Sequence, residues 1–140
     1  MTQKAAKAKD KGAIFTGGFS SFSIKDVTAA KNFYGGTLGL KVSETEEGLS
    51  IDVPGFEGGL FLYAKDEHKP ATFTVFNLMV EDVDSAVDEL TDRGVTFLQY
   101  DKPMKTDKKG IFWGGEEGSG PNIAWFEDPS KNIISVIQES

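Results

Sequence analysis

The 140-residue chain contains no cysteine and a single histidine, His68. The first absence excludes disulfides, thiolate nucleophiles and every sulfur-ligated metal site. A single histidine excludes a zinc site built from several imidazoles, and any Ser-His-Asp triad would have to use His68. Because His68 lies in a polar connector, residues 65–70, we expect a solvated loop residue, with a base or metal ligand as the alternative.

Long apolar runs and excess positive charge are also missing. No stretch of about 18 apolar residues and no secretory signal is present, so we expect a cytoplasmic protein that does not span a membrane. The formal net charge of −7 disfavours a nucleic-acid partner, since that affinity comes from clustered Lys and Arg. With 39% hydrophobic residues, the chain fits a single domain over residues 13–140, preceded by a flexible basic tail over 1–12.

An internal repeat organises the chain. Segments 19–27 and 75–83 each read as a strand ending at an aspartate, Asp26 or Asp82, and apolar residues at helical spacing follow each aspartate. An aspartate at a helix start accepts hydrogen bonds from first-turn amides, so both are predicted N-caps. Each helix ends near glycine, and β-rich runs come next.

The C-terminal segment 123–138 predicts a hairpin around a turn at residues 128–132. Pro129 fixes φ for the turn, and Asn132 tolerates a left-handed backbone. On the exit strand, alternation sends Ile133, Ser135 and Ile137 to one face, so a small hydroxyl lies between two apolar neighbours.

These elements give the order βαβββ twice, in module 1 (residues 14–65) and module 2 (residues 72–138). In module 2 the strands are predicted at 73–80, 95–100, 123–126 and 132–138, with an insertion at 102–120. A half-apolar sheet cannot cover its own face, so the two units must pack together within one chain or across a dimer. The predicted class is α+β, with two modules forming a cupped, barrel-like mixed sheet around a cavity and helices outside.

The repeat resembles the vicinal oxygen chelate superfamily, the glyoxalase, bleomycin-resistance and extradiol dioxygenase group of paired βαβββ modules. The residues that carry the resemblance are Ser23-Ile-Lys-Asp-Val27, Asn32-Phe-Tyr34, Leu38-Gly-Leu40, Val80-Glu-Asp-Val83, and Trp125-Phe-Glu-Asp-Pro129 with Asn132.

In catalytic members, the resemblance implies a divalent metal held by one residue on the first strand of each module and by a glutamate on the last strand. These positions fall on Phe19, Val75 and Ser135, none of which supplies an imidazole or carboxylate. We therefore expect no metal and no cofactor. The chain is closer in this respect to the bleomycin-resistance members, which sequester a drug between two subunits without a catalytic metal.

The predicted ligand-binding residues are alternate residues of the two first strands, the two tryptophans and the hydroxyl of the last strand: Phe19, Ser21, Asn77, Met79, Trp113, Trp125 and Ser135. The tryptophans could stack on a planar or cationic ligand, or simply pack in the core. Serine hydroxyls could orient a ligand in an apolar pocket. As nucleophiles, Ser21, Ser23 and Ser135 have no base identifiable from sequence.

Three functional classes follow. The leading hypothesis is a homodimeric protein that binds a small hydrophobic or cationic molecule in its cavity without a conventional catalytic metal. The second is a lyase, isomerase or dioxygenase that recruits a metal through unconventional donors such as His68, Asn77 or a glutamate. The third is a non-catalytic dimerising module with a vestigial cavity. The sequence assigns no catalytic residue and leaves open whether any reaction is catalysed.

Overall fold

The computed structural model describes residues 14–118 and 120–139, so the predicted basic tail 1–12 lies outside the described residues. The first module contains β1 (Ser20–Ile24), α1 (Val27–Lys31), a π-helical turn (Asn32–Thr37), β2 (Lys41–Glu44), β3 (Gly48–Val53) and β4 (Phe56–Ala64). The second contains β5 (Thr74–Val80), α2 (Val83–Asp92), β6 (Ile111–Trp113), α3 (Gly114–Glu117), β7 (Asn122–Glu127) and β8 (Ile133–Gln138). The βαβββ order is confirmed in both modules, with the short helix α3 added between β6 and β7 of the second.

Each module forms its own four-stranded mixed sheet, in the order β1-β4-β3-β2 and β5-β8-β7-β6. The first strand of each module is an outer strand that pairs in parallel with the last, and the other pairs are antiparallel. The predicted α+β class with cupped mixed sheets is confirmed, although the sheets do not close into a barrel. Within the described residues, none of the helices has the length and apolar character needed to cross a bilayer.

Both predicted N-caps are confirmed. The Asp26 carboxylate accepts a hydrogen bond from the Ala29 amide at 3.0 Å. The Asp82 carboxylate does the same for the Asp84 amide at 3.3 Å, and the hydrogen bond from the Ser85 hydroxyl, together with the first-turn amides, lowers the pKa of Asp82. Helix α2 ends before Gly94, whose φ of 100° only glycine adopts readily.

The predicted turn at 128–132 is also confirmed, but the left-handed residue is Lys131 (φ 67°) rather than Asn132. Asn132 instead donates its side-chain amide to the Ser23 carbonyl oxygen at 2.9 Å and to Asp128 Oδ2 at 3.0 Å. The buried Asp128 carboxylate also accepts from the Tyr34 hydroxyl at 2.7 Å. The turn of module 2 therefore holds β1 and the π-helical turn of module 1.

The predicted strand at 95–100 is wrong. Phe97 forms only an isolated bridge to Phe126, and Leu98 donates its amide to the Trp125 carbonyl oxygen. The chain then turns at Tyr100 and Thr106, whose backbones are hydrogen-bonded. The strand that completes the second sheet is β6, which comes from within the predicted insertion.

One apolar cluster runs through both modules and joins them. It includes Phe22 and Ile24 of β1, and Ile134 and Val136 of β8. The rings of Phe33 and Phe97 lie 5.9 and 5.6 Å from that of Phe126. Since residues alternate along each strand, Ser21 and Ser23 of β1 and the odd-numbered residues of β8 point to the opposite faces, away from this core.

Candidate functional site

The face of the second sheet that points away from the shared core carries a second, smaller apolar cluster. Phe112, Ile123 and Trp125 are buried there, and Leu98, Ile133 and Ile137 pack against them. Strand register places Asn77, Ser135 and Trp125 side by side across β5, β8 and β7. We call this surface the outer face of the second sheet.

A polar pair lies at the centre of this outer face. The Ser135 side chain is fully buried, and its hydroxyl donates to Asn77 Oδ1 at 2.5 Å. Asn77 itself is exposed, so its amide group is presented to solvent in an apolar surround. An amide fixed in this way can exchange hydrogen bonds with a ligand and thereby orient it.

An aromatic crevice of about 350 Å³ opens beside this pair. Trp125 and Tyr100 form its inner wall, with ring centroids 5.3 Å apart and planes at 90°. Phe73 and Met104 line its rim, and both are exposed. Partial burial, and then the charge of Glu127, raise the pKa of the Tyr100 hydroxyl, so this group is a neutral donor at physiological pH.

A second crevice, of about 790 Å³, lies at the other end of the outer face. Met79 and Ile137 form its floor, and the glycine-rich part of the insertion forms its wall. That wall is anchored, because the Gly115 amide donates to Asn122 Oδ1 at 2.8 Å and the Gly114 amide donates to the Pro121 carbonyl oxygen. Glu116 also lines this crevice and supplies a carboxylate.

A third crevice, of about 740 Å³, passes around the free edge of β5 and between the two modules. Its lining is mostly aliphatic, and the ring centroids of Phe56 and Phe76 lie 5.6 Å apart. Asn77 and Met79 line this crevice as well as the second one. The structure therefore brings four predicted residues, Asn77, Met79, Trp125 and Ser135, to one surface.

Three predicted residues lie elsewhere. Trp113 packs against the shared core on the opposite face of the second sheet, where its indole donates to Asp107 Oδ2 at 2.9 Å. Burial would raise the pKa of Asp107, but hydrogen bonds from the Ile111 amide, this indole and the Lys109 amide lower it. Phe19 and Ser21 are exposed at the first module, and Phe19 is 66% accessible.

The metal positions implied by the family resemblance do not fit a divalent ion. Phe19 and the half-buried Val75 offer no donor atom, and the Ser135 hydroxyl is already bonded to Asn77. Across residues 14–118 and 120–139, no three His, Asp or Glu side chains converge in a metal-binding group.

Sequence reasoning missed the environment of His68. The residue is half-buried rather than solvated: Nδ1 lies 2.6 Å from Ser23 Oγ, and Nε2 lies 2.9 Å from the Ser130 carbonyl oxygen. The expectation that Ser23 has no neighbouring base is therefore wrong. No local signal could have revealed this contact, because Ser23 and His68 are 45 residues apart and belong to different elements.

Comparison with known proteins agrees with this architecture. A family model described as the Glyoxalase/Bleomycin resistance protein/Dioxygenase superfamily matches residues 20–136. The chain belongs to this superfamily, as the sequence resemblance predicted. No curated protein matches the sequence significantly.

Many solved structures have the same fold. TnmS3, an antibiotic binding protein from Streptomyces sp. CB03234, is 25% identical with a TM-score of 0.64, covering 91% of this chain and 98% of its own. A superfamily member from Sphaerobacter thermophilus DSM 20745 is 26% identical with a TM-score of 0.63, covering 90% and 98%. A glyoxalase/bleomycin resistance protein from Streptomyces sp. CB03234 is 23% identical with a TM-score of 0.59, covering 88% and 100%, and shows the fold alone.

Proposed function

We propose that the protein binds a small, planar, hydrophobic or cationic molecule on the outer face of the second sheet, without a conventional catalytic metal. The observation that carries this proposal is the Asn77–Ser135 pair, which presents a fixed amide inside an apolar surface beside the Trp125–Tyr100 crevice. Apolar walls with a few placed polar groups are typical of small-molecule sites. The likeness to TnmS3, an antibiotic binding protein, supports the same class of function.

The aromatic crevice suits a planar group. A volume of about 350 Å³ accepts a few fused rings, which would stack on Trp125 or Phe73. A positive charge on such a ligand would gain from cation–π contact and from the negative charge of the protein, which is −7 overall.

We further propose that a second copy of the chain completes the site. Within one chain, the outer face of the second sheet is open along β5, where Phe73 and Met79 are each 67% exposed. The predicted residues Phe19 and Ser21 are exposed on the first module and do not line the three crevices. A homodimer in which the first module of one copy covers the second sheet of the other would bring both sets of residues to one cavity.

The two tryptophans provide a direct test, because they lie on opposite faces of the second sheet and the chain has only these two. The W113F variant reports from Trp125 alone, and the W125F variant reports from Trp113 alone. We expect proflavine, a planar cation, or a planar aromatic antibiotic to quench W113F saturably. The W125F variant should show weaker binding and little quenching.

The two alternative functions predict different results from measurements on the same purified protein. Equal quenching of both variants, or none with a broad panel of planar compounds, would contradict the proposed site and favour a non-catalytic dimerising module. Elemental analysis after exposure to Fe(II), Mn, Co, Ni and Zn and desalting is the second arm. One metal per chain would refute metal-independent binding and direct attention to a lyase, isomerase or dioxygenase.

A further inference from the structure

The first module carries a serine–histidine pair that the proposed ligand site does not use. Ser23 Oγ lies 2.6 Å from His68 Nδ1, within the range at which a hydroxyl donates to an imidazole nitrogen. His68 Nε2 lies 2.9 Å from the Ser130 carbonyl oxygen. A carbonyl oxygen can only accept, so Nε2 must carry the proton.

This tautomer determines what the other ring nitrogen can do. In the neutral imidazole, Nδ1 is then the unprotonated nitrogen, and the Ser23 hydroxyl donates to it. Nucleophile, base and a third group that orients the base are the three parts of an activated serine. Here a backbone carbonyl takes the place of the usual carboxylate.

The orienting group is held firmly. The Ser130 amide donates to Asp128 Oδ1 at 2.8 Å, and the Ser130 hydroxyl accepts the Lys25 amide at 2.9 Å. Ser130 is buried within the turn that joins the two modules. The backbone of His68 is held as well. Its amide donates to the Lys65 carbonyl oxygen at 3.0 Å, which fixes the loop that carries the base.

An aromatic surface lies next to the serine. Ser23 is paired with Tyr63 across β1 and β4, and Ser21 is paired with Phe61. The Phe61 and Tyr63 rings are stacked, with centroids 6.5 Å apart and planes within 20°. Since Tyr63 is exposed, an aryl group can rest on this surface with an attached carbonyl near Ser23.

We propose that Ser23 is a nucleophile activated by His68 and reacts with activated aryl esters. In this reaction the Ser23 Oγ–carbon bond forms, the ester carbon–oxygen bond breaks, and the phenolate leaves. The hydroxyl proton moves to His68 Nδ1 and then to solvent. Water, deprotonated by His68, subsequently releases the carboxylic acid and returns the serine hydroxyl. The chemistry uses only the ester and water.

The probe is p-nitrophenyl acetate, with release of p-nitrophenolate followed in time and the acetylated residue located by peptide mapping. We expect a burst of product and acetylation at Ser23. S23A should lose the burst, and S43A, which removes an exposed hydroxyl from β2 of the same sheet, should retain it. H68Q should slow acetylation of Ser23 by about a hundredfold, the lower range for a positioned base.

A second measurement does not depend on the folding of a His68 variant. Because the chain has one histidine, diethyl pyrocarbonate modifies a single imidazole, and hydroxylamine reverses the modification. Carbethoxylated wild-type protein should lose the burst and recover it on reversal. The proposal is overturned if wild type is not acetylated at Ser23, if Ser43 reacts equally fast, or if blocking His68 leaves the rate unchanged. Any of these outcomes would make the pair a structural hydrogen bond only.

Discussion

Replacing Asp128 with alanine should be among the most destabilising single changes in this chain. The carboxylate is 4% exposed and accepts from the amides of Ser130 and Asn132 at 2.8 and 2.9 Å, the Tyr34 hydroxyl at 2.7 Å and the Asn132 side chain at 3.0 Å. A hydrogen bond to a charged group contributes about 1.5–3 kcal/mol, and bonds within one network are not additive. We therefore expect D128A to lower the free energy of unfolding by about 4 kcal/mol, less than the sum of the separate bonds.

Urea unfolding followed by circular dichroism measures this loss. Y34F removes only one of the donors and should cost about 1.5 kcal/mol. D66A removes an exposed carboxylate of the same type from a surface turn and should change stability by less than about 0.5 kcal/mol. A D128A loss no greater than that of D66A would refute the view that this turn holds the two modules together.

Three further predictions concern other sites. The pKa of Tyr34 is raised by burial, by the Asp128 charge and by their hydrogen bond, so the contribution of Tyr34 to stability should be constant below pH 10.0 and be lost above it. Y34F should therefore make the fall in stability above pH 10.0 smaller in a urea series at increasing pH. N77A leaves the buried Ser135 hydroxyl unpaired and should cost about 1–3 kcal/mol in urea unfolding, whereas S135A leaves a solvated amide and should cost less; equal costs would contradict this asymmetry. A Cβ at Gly58 would lie 1.8 Å from a backbone oxygen of the segment before β1, so G58A should lower the thermal midpoint, while G36A, with open space around it, should not.

Local chemistry accounts for the parts of the fold that were predicted correctly. Asp26 and Asp82 cap helices because a carboxylate satisfies first-turn amides in any context, and the alternation of β8 follows from strand geometry alone. The second strand of module 2 was wrong for a different reason. Residues 95–100 have strand-like composition, but only pairing with a neighbour makes a strand, and β6 occupies most of that edge.

The candidate site was predicted in part. Alternation correctly placed Asn77, Met79 and Ser135 on one surface, together with Trp125. Trp113 could not be assigned to a face, because its strand begins inside a segment that reads as a loop. The aromatic crevice depends on Tyr100 and Met104, which reach Trp125 only because the chain after Leu98 folds back over the sheet.

The sequence by itself determined the repeated βαβββ order, the helix starts, the hairpin turn and the lack of metal donors at the positions implied by the family. These depend on residue type and on contacts within a few positions along the chain. The tertiary structure decided which faces are covered and which distant residues meet. His68 contacts Ser23, and Tyr34 contacts Asp128, only because the turn of module 2 lies against β1. Contacts between residues this far apart arise from the packing of whole elements, which no local pattern specifies.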